Sequence, residues 1–320
     1  IDQLSDIKND TGGAANVENV IGILARLSAQ ESCVAGLARK PAAVRTLLHQ
    51  LQAGITKDSL KENILKIVVN SCQNEDCAVI VVRLEGHVSV GSAIKLSYRG
   101  QNSIKLEIRR LGVRALVAMA QHQKCRFTMA QNETLPLLVD VLAKSSADKV
   151  LLLSTASCMV ELTSSMAIAD TLVEERGLEQ ILSLLNELVA APATPAYGSV
   201  PVVASTSVSA ALSQMSADER QGLTESVASC LNGFSVCADA VSVICGSEDL
   251  FDGTTNALGH MQAMVSLLES GNSTVRLSIC NALELWSIDN ICREALCQAS
   301  GVDCLVRLLQ MEESELQLSA

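Results

Sequence analysis

One eight-residue apolar pattern recurs along this chain, and it constrains the fold more than any other feature. The copies are PAAVRTLL from Pro41, LPLLVDVL from Leu135, LEQILSLL from Leu178, TESVASCL from Thr224, MQAMVSLL from Met261 and VDCLVRLL from Val302, with a weaker copy, CAVIVVRL, from Cys77. Apolar side chains fall at the fourth, usually fifth, seventh and eighth places, the i, i+3, i+4 rhythm of one buried helix face. Successive copies lie 36, 58, 43, 46, 37 and 41 residues apart. Periods near forty mark arrays of helical repeats, in which no unit buries its apolar face without its neighbours.

Composition agrees. The chain is 48% hydrophobic but only 2% aromatic, so its core must come from Leu, Val, Ile, Ala, Cys and Met. That suits helix-on-helix packing better than a sandwich or barrel, where strands favour aromatic residues. The twelve cysteines include no CxxC pair, and no His or Cys partner stands at zinc-finger spacing. They read as small buried hydrophobes of a reducing compartment, with no metal expected. There is no apolar run of 18 residues and no visible targeting segment.

The clearest unit runs MQAMVSLL, ESGNST, VRLSICNALELWS: a helix, a polar break and a second, longer helix. Asn272 or Ser273 is placed to cap that longer helix, and Ser216 to Glu219 fits a capping box. Gly259 and Gly301 precede their copies, where a tight turn would need a glycine's φ freedom. The stretch AAPATPAYGSVPV, residues 190–202, reads as an irregular surface loop inserted within one repeat.

GHMQAMVSLLESGNSTVRLSICNALELWSI, followed by GVDCLVRLLQMEESELQLSA, resembles one armadillo repeat and the beginning of the next. The 130–186 region is similar, whereas 77–126 and 187–250 depart from the pattern. The resemblance implies an all-α, armadillo/HEAT-type α-solenoid, a right-handed superhelix of stacked repeats. Residues 1–320 are expected to form a single array of about seven repeats. Both ends read as cut, as in a segment of a longer protein.

The same resemblance implies a concave face lined by each repeat's third helix. Peptide-binding members of the importin-α type carry there a Trp and, four residues on, an Asn. The Asn-equivalent positions here hold Arg26, Asn70, Ala118, Glu161, Gln214, Val243 and Leu285. The Trp-equivalent positions hold Gly22, Lys66, Arg114, Ser157, Ala210, Asp239 and Asn281. Only Asn70 matches, and Trp286, one place out of register, is expected in the core. An importin-like role is therefore disfavoured.

What remains is charge. Residues 1–150 hold 19 Lys/Arg and 14 Asp/Glu, whereas residues 151–320 hold 5 and 21. Between Gly86 and Asn132 stand eight bases (Lys95, Arg99, Lys105, Arg109, Arg110, Arg114, Lys124 and Arg126) and one acid, Glu107. A basic N-terminal groove, with Arg26, Lys66, Arg110 and Arg114, would attract acidic or phosphorylated segments, since Arg forks match carboxylate and phosphate geometry. That resembles grooves of the β-catenin kind. A solvated basic face with no ligand is the plain alternative. The partner-binding candidates are Arg26, Lys66, Asn70, Arg110, Arg114, Glu161, Gln214 and Asn281.

The four histidines form no metal or catalytic spacing, and no GxSxG, P-loop or GxGxxG is present. The expectation is a non-enzymatic scaffold or adaptor, cytoplasmic, nuclear or cytoskeleton-associated, needing no cofactor, small-molecule substrate or membrane insertion. A structural subunit of a large cytoskeletal, axonemal or organellar assembly is the first alternative. A HEAT-like nucleic-acid binder ranks third, because the chain is acidic and offers almost no aromatic surface for base stacking.

Overall fold

Three kinds of helix alternate along the chain, and each packs against its own kind. The computed structural model describes residues 11–52, 56–99, 103–145, 148–190, 207–246 and 253–310. These are helical throughout, with no strand among the described residues. The loop read at 190–202 lies, apart from its first residue, outside them. Contacts divide the chain into two units, Ile1–Leu137 and Leu138–Ala320.

In the first unit are α1 (Thr11–Leu27), α2 (Glu31–Ala38), α3 (Pro41–Gln52), α4 (Asp58–Ser71), α5 (Glu75–Arg83), α6 (Gly86–Ser97), α7 (Ser103–Ala120) and α8 (Gln123–Ala130). Each packs on the helix three places later: α1 on α4 on α7, α2 on α5 on α8, and α3 on α6. The boundary between units falls within α9 (Thr134–Lys144).

The second unit continues with α10 (Lys149–Thr163), α11 (Met166–Glu174), α12 (Gly177–Ala190), α13 (Ser207–Ser213), α14 (Ala217–Phe234), α15 (Ala240–Cys245), α16 (Gly253–Ser270), α17 (Ser273–Trp286), α18 (Asn290–Gln298) and α19 (Gly301–Leu309). Here α10 packs on α14 on α17, α12 on α16 on α19, and α15 on α18. The short α13 is extra to the pattern. Trp286 and Phe234 are the largest fully buried side chains, in a core otherwise built from aliphatic, Cys and Met side chains among the described residues.

This packing corrects the register of two sequence copies. CAVIVVRL lies on α5, a short first helix, and TESVASCL on α14, a long third helix. The others lie on second helices. An apolar stripe reports that a helix has one buried face, and all three kinds of helix have one.

The turns between first and second helices explain the glycines. Glu85, Arg176 and Ser300 adopt left-handed φ values of 58°, 67° and 60°, and each precedes a glycine that opens a second helix. A Cβ on Gly86, Gly177 or Gly301 would meet the carbonyl oxygen of Val81, Leu172 or Leu296 at 2.7, 2.8 and 2.8 Å. The glycine serves close approach, and the residue before it carries the positive φ. Gly259, expected in such a turn, sits within α16 with open space around it.

A second device closes the helix ends. Arg126, Arg220, Arg276 and Arg293 each occupy the fourth position of a helix and donate to carbonyls at or just past the end of the helix before. Arg276, for example, reaches the oxygens of Leu268 and Glu269 at 2.9 and 3.3 Å. Arg220 reaches that of Leu212 at 3.0 Å. A guanidinium there satisfies carbonyls without intrahelical partners and meets the negative end of the helix dipole. Helix starts are capped by Asn74, Asp148, Ser216, Asn272 and Asp289, with both halves of the Ser216–Glu219 capping box formed. Of the two residues suggested by sequence for α17, Asn272 is the cap, accepting from the Val275 N–H at 3.0 Å.

No single described helix is long and apolar enough to cross a membrane. The α5–α6 pair reaches that composition but bends by 73° at its break.

Candidate partner-binding face

Because α1, α4 and α7 lie side by side, their solvent-facing stripes form one surface on the first unit. The α4 stripe is Ser59, Glu62, Lys66 and Asn70, continued by Gln73 in the turn after it, and the α7 stripe is Glu107, Arg110, Arg114 and Val117, continued by Gln121. Arg26 is exposed on α1. Four of the sequence candidates (Lys66, Asn70, Arg110 and Arg114) thus share the α4–α7 surface, and Arg26 belongs to the adjoining helix.

Their availability differs. Lys66 pairs with Glu62 at 2.6 Å, and Arg110 lies 3.7 Å from Glu107. Asn70 donates to the Ser28 hydroxyl at 2.9 Å, tying α4 to the end of α1. Arg114 is exposed and has no polar partner among the described residues.

The basic cluster around these residues is less free than its sequence suggests. Lys95 pairs with Glu133, and Lys124 with Glu75 at 3.1 Å. Arg126 donates to the carbonyls of Ala120 and Gln121, and Arg109 lies over the Tyr98 ring, 4.7 Å from its centre. Glu133 immediately follows the sequence window that holds only one acid, and Glu75 lies eleven residues before it. Stacking of repeats brings them in.

In the second unit the third helices α10, α14 and α17 carry a different surface. Glu161 is half-buried on α10 and Asn281 half-buried on α17. Gln214 is not on a third helix: it lies in the turn after α13, exposed, where its carbonyl accepts from Lys149 at 3.3 Å. Asp239 and Val243 likewise belong at or within the short α15, a first helix. The third helix there is α14, whose outward residues Gln221, Glu225, Ser229 and Asn232 went unrecognised. Their signal was the TESVASCL copy, assigned to the wrong kind of helix. Glu225 accepts from Asn272 at 2.7 Å and from Gln221 at 3.2 Å, joining α14 to the start of α17. The cations near these helices are already engaged. Lys149 pairs with Glu219 at 2.8 Å, and Arg220 and Arg276 cap helix ends.

Two clefts accompany these faces. One of about 220 Å³ lies between α6 and the start of α9, bordered by His87, Ser92, Lys95, Asn132 and Thr134. There Asn132 Nδ2 is 2.9 Å from His87 Nε2, and burial holds the imidazole below its ordinary pKa. The other, of about 820 Å³, lies where α12 and α16 end and α14 and α17 begin, among Arg220, Gln221, Glu269 and Asn272.

No protein-family model matches the sequence, and no curated protein sequence does either. Solved structures do match in fold. A designed armadillo repeat protein is 12% identical with a TM-score of 0.60, over 86% of this chain and 96% of its own. Computationally designed armadillo repeat proteins for modular peptide recognition give 12% identity and a TM-score of 0.61, over 89% of this chain and 97% of theirs.

Proposed function

We propose that this armadillo-fold chain is a non-catalytic scaffold that holds an acidic or phosphorylated segment of another protein across the third helices of its first unit. The observation carrying the reading is the difference between its two sets of third helices. The α1, α4 and α7 surface presents Arg26, Lys66, Arg110 and Arg114, the last exposed and unpartnered among the described residues. The α10, α14 and α17 surfaces present Glu161, Glu225 and Glu284, with the nearby Lys149, Arg220 and Arg276 engaged internally. Lys66 and Arg110 are held by carboxylates on their own helices. Such exposed pairs are weak, and a better anionic partner can exchange for them. The peptide recognition named for the designed armadillo proteins supports a protein ligand.

The test is fluorescence anisotropy with a labelled oligoglutamate peptide and a phosphoserine peptide, across a salt series. Binding is expected to weaken with salt, and the Arg110→Glu, Arg114→Glu double variant to lose about tenfold or more in affinity. Unchanged affinity in that variant eliminates the reading.

A second reading, a structural subunit of a larger assembly, is favoured by exposed apolar side chains. Ile288 is 76% exposed, and Ile291, Val302, Val306 and Leu309 on α18 and α19 are exposed as well. Loss of the probe signal together with stable co-purifying subunits from native extract would select it.

A further inference from the structure

We propose that Cys245, Cys292 and Asp289 form a binding site for a thiophilic divalent cation, zinc foremost. The residues come from two successive first helices. Cys245 ends α15, Cys292 is the third residue of α18, and Asp289 caps α18. Packing of α15 on α18 brings the sulfurs, 47 positions apart in sequence, to 3.8 Å. Two thiolates at the usual zinc–sulfur distance of about 2.3 Å in a tetrahedral shell stand about 3.8 Å apart. A disulfide needs about 2.05 Å. The three donor atoms all lie within 4.8 Å of one another, and no other such group occurs among the described residues.

The carboxylate is already oriented. Its Oδ1 accepts from the Ile291 and Cys292 N–H groups at 2.8 and 3.0 Å, which fixes the carboxylate beside the two sulfurs. Hydrogen bonds that fix a ligating carboxylate are what metal sites ordinarily build around their ligands. Cys245 and Cys292 are buried, whereas Asp289 is half-exposed and provides the way in. Three metal-ligating side chains thus converge on one partly buried corner. A divalent ion would replace both thiol protons, releasing them to solvent, and form two metal–sulfur bonds and one metal–oxygen bond. Water would fill the fourth position. Cys158 and Cys230 are similarly buried but are not part of any such three-donor group.

The experiment is cobalt titration of the reduced full chain, with Cys33 and the exposed Cys297 replaced by Ser in every sample. One equivalent of Co²⁺ is expected to give a near-ultraviolet sulfur-to-cobalt charge-transfer band, displaced by Zn²⁺. Cys245→Ser should abolish the band. Asp289→Asn, which keeps a capping oxygen, should weaken binding about tenfold or more while leaving circular dichroism unchanged. Should Cys245→Ser fail to fold, a zinc-dependent rise in thermal midpoint, present in the parent and lost in Asp289→Asn, supports the site equally. No band in the parent, a full band in Cys245→Ser, or identical zinc shifts in parent and Asp289→Asn overturns it.

Discussion

At Gly177 a hydrogen atom is all that fits between the start of α12 and the Leu172 carbonyl. A methyl group there would meet that oxygen at 2.8 Å and the Met159 terminal carbon at 3.2 Å. Backbone cannot rotate away as a side chain can. Gly177→Ala is therefore expected to destabilise the fold by about 1–3 kcal/mol, read by urea unfolding. Gly222, inside α14 with nothing within 4 Å of a Cβ, should behave oppositely, since Ala restricts the unfolded chain and favours the helix. Gly222→Ala is expected to gain about 0.5–1 kcal/mol. Equal effects of the two substitutions would contradict the close-approach account. The two glycines look alike in sequence. What separates them is a carbonyl five residues back, brought near only when a first helix turns sharply into a second.

Helices show which signals are local. The Ser216–Glu219 capping box spans four residues, and it forms as the sequence indicates, with Ser216 accepting from the Glu219 N–H at 3.2 Å and Glu219 from the Ser216 N–H at 2.8 Å. Replacing Ser216 by Ala should cost about 1 kcal/mol of stability, measured by thermal or urea unfolding, with Ser216→Asn largely neutral. The arginine devices were not legible. Arg220 reaches a carbonyl eight residues back, and Arg276 one at the same distance, so each depends on how the chain turns between two helices. The same limit misplaced the copies at Cys77 and Thr224. Periodicity identifies an amphipathic helix, but its place in the triplet is set by which helix it packs against. Gln214 lies outside the third helix for that reason, because that helix begins at Ala217, beyond the expected register.

Across the whole chain, titration should define a stability window. Lysine partners hold Glu18, Glu133 and Glu219 below the ordinary carboxylate range, through hydrogen bonds from Lys57, Lys95 and Lys149 respectively. Their contribution is present above that range and is lost as pH falls through the folded values. Burial keeps His87 and His260 neutral below the usual histidine value, so the unfolded chain takes up protons first and stability falls below about pH 6.5. Burial also pushes the Cys158 thiol up, and Cys230 to about 12. These folded values are raised, so their contribution is present below the ordinary thiol value and is lost as pH rises above about 8.5. The thermal midpoint should therefore be highest between about pH 6.5 and 8.5, falling on both sides. A midpoint that kept rising into acid would contradict the buried neutral histidines. Cys158→Ala should flatten the alkaline side.

The sequence by itself determined the all-α class, the period near forty, the buried place of Trp286 and most of the cysteines, and the charge imbalance between the two halves. All of these follow from side-chain chemistry and helical spacing, which act over a turn or two of chain. Tertiary structure decided which helix of each triplet a segment becomes, and which cations stay free. It engaged Lys95 and Lys124 with acids on neighbouring repeats and left Arg114 exposed. It also brought Cys245 to Cys292 and Asp289, although no spacing in the chain suggested a metal group. Contacts between residues forty or more apart depend on how repeats stack, and the local pattern that makes each helix is blind to that stacking.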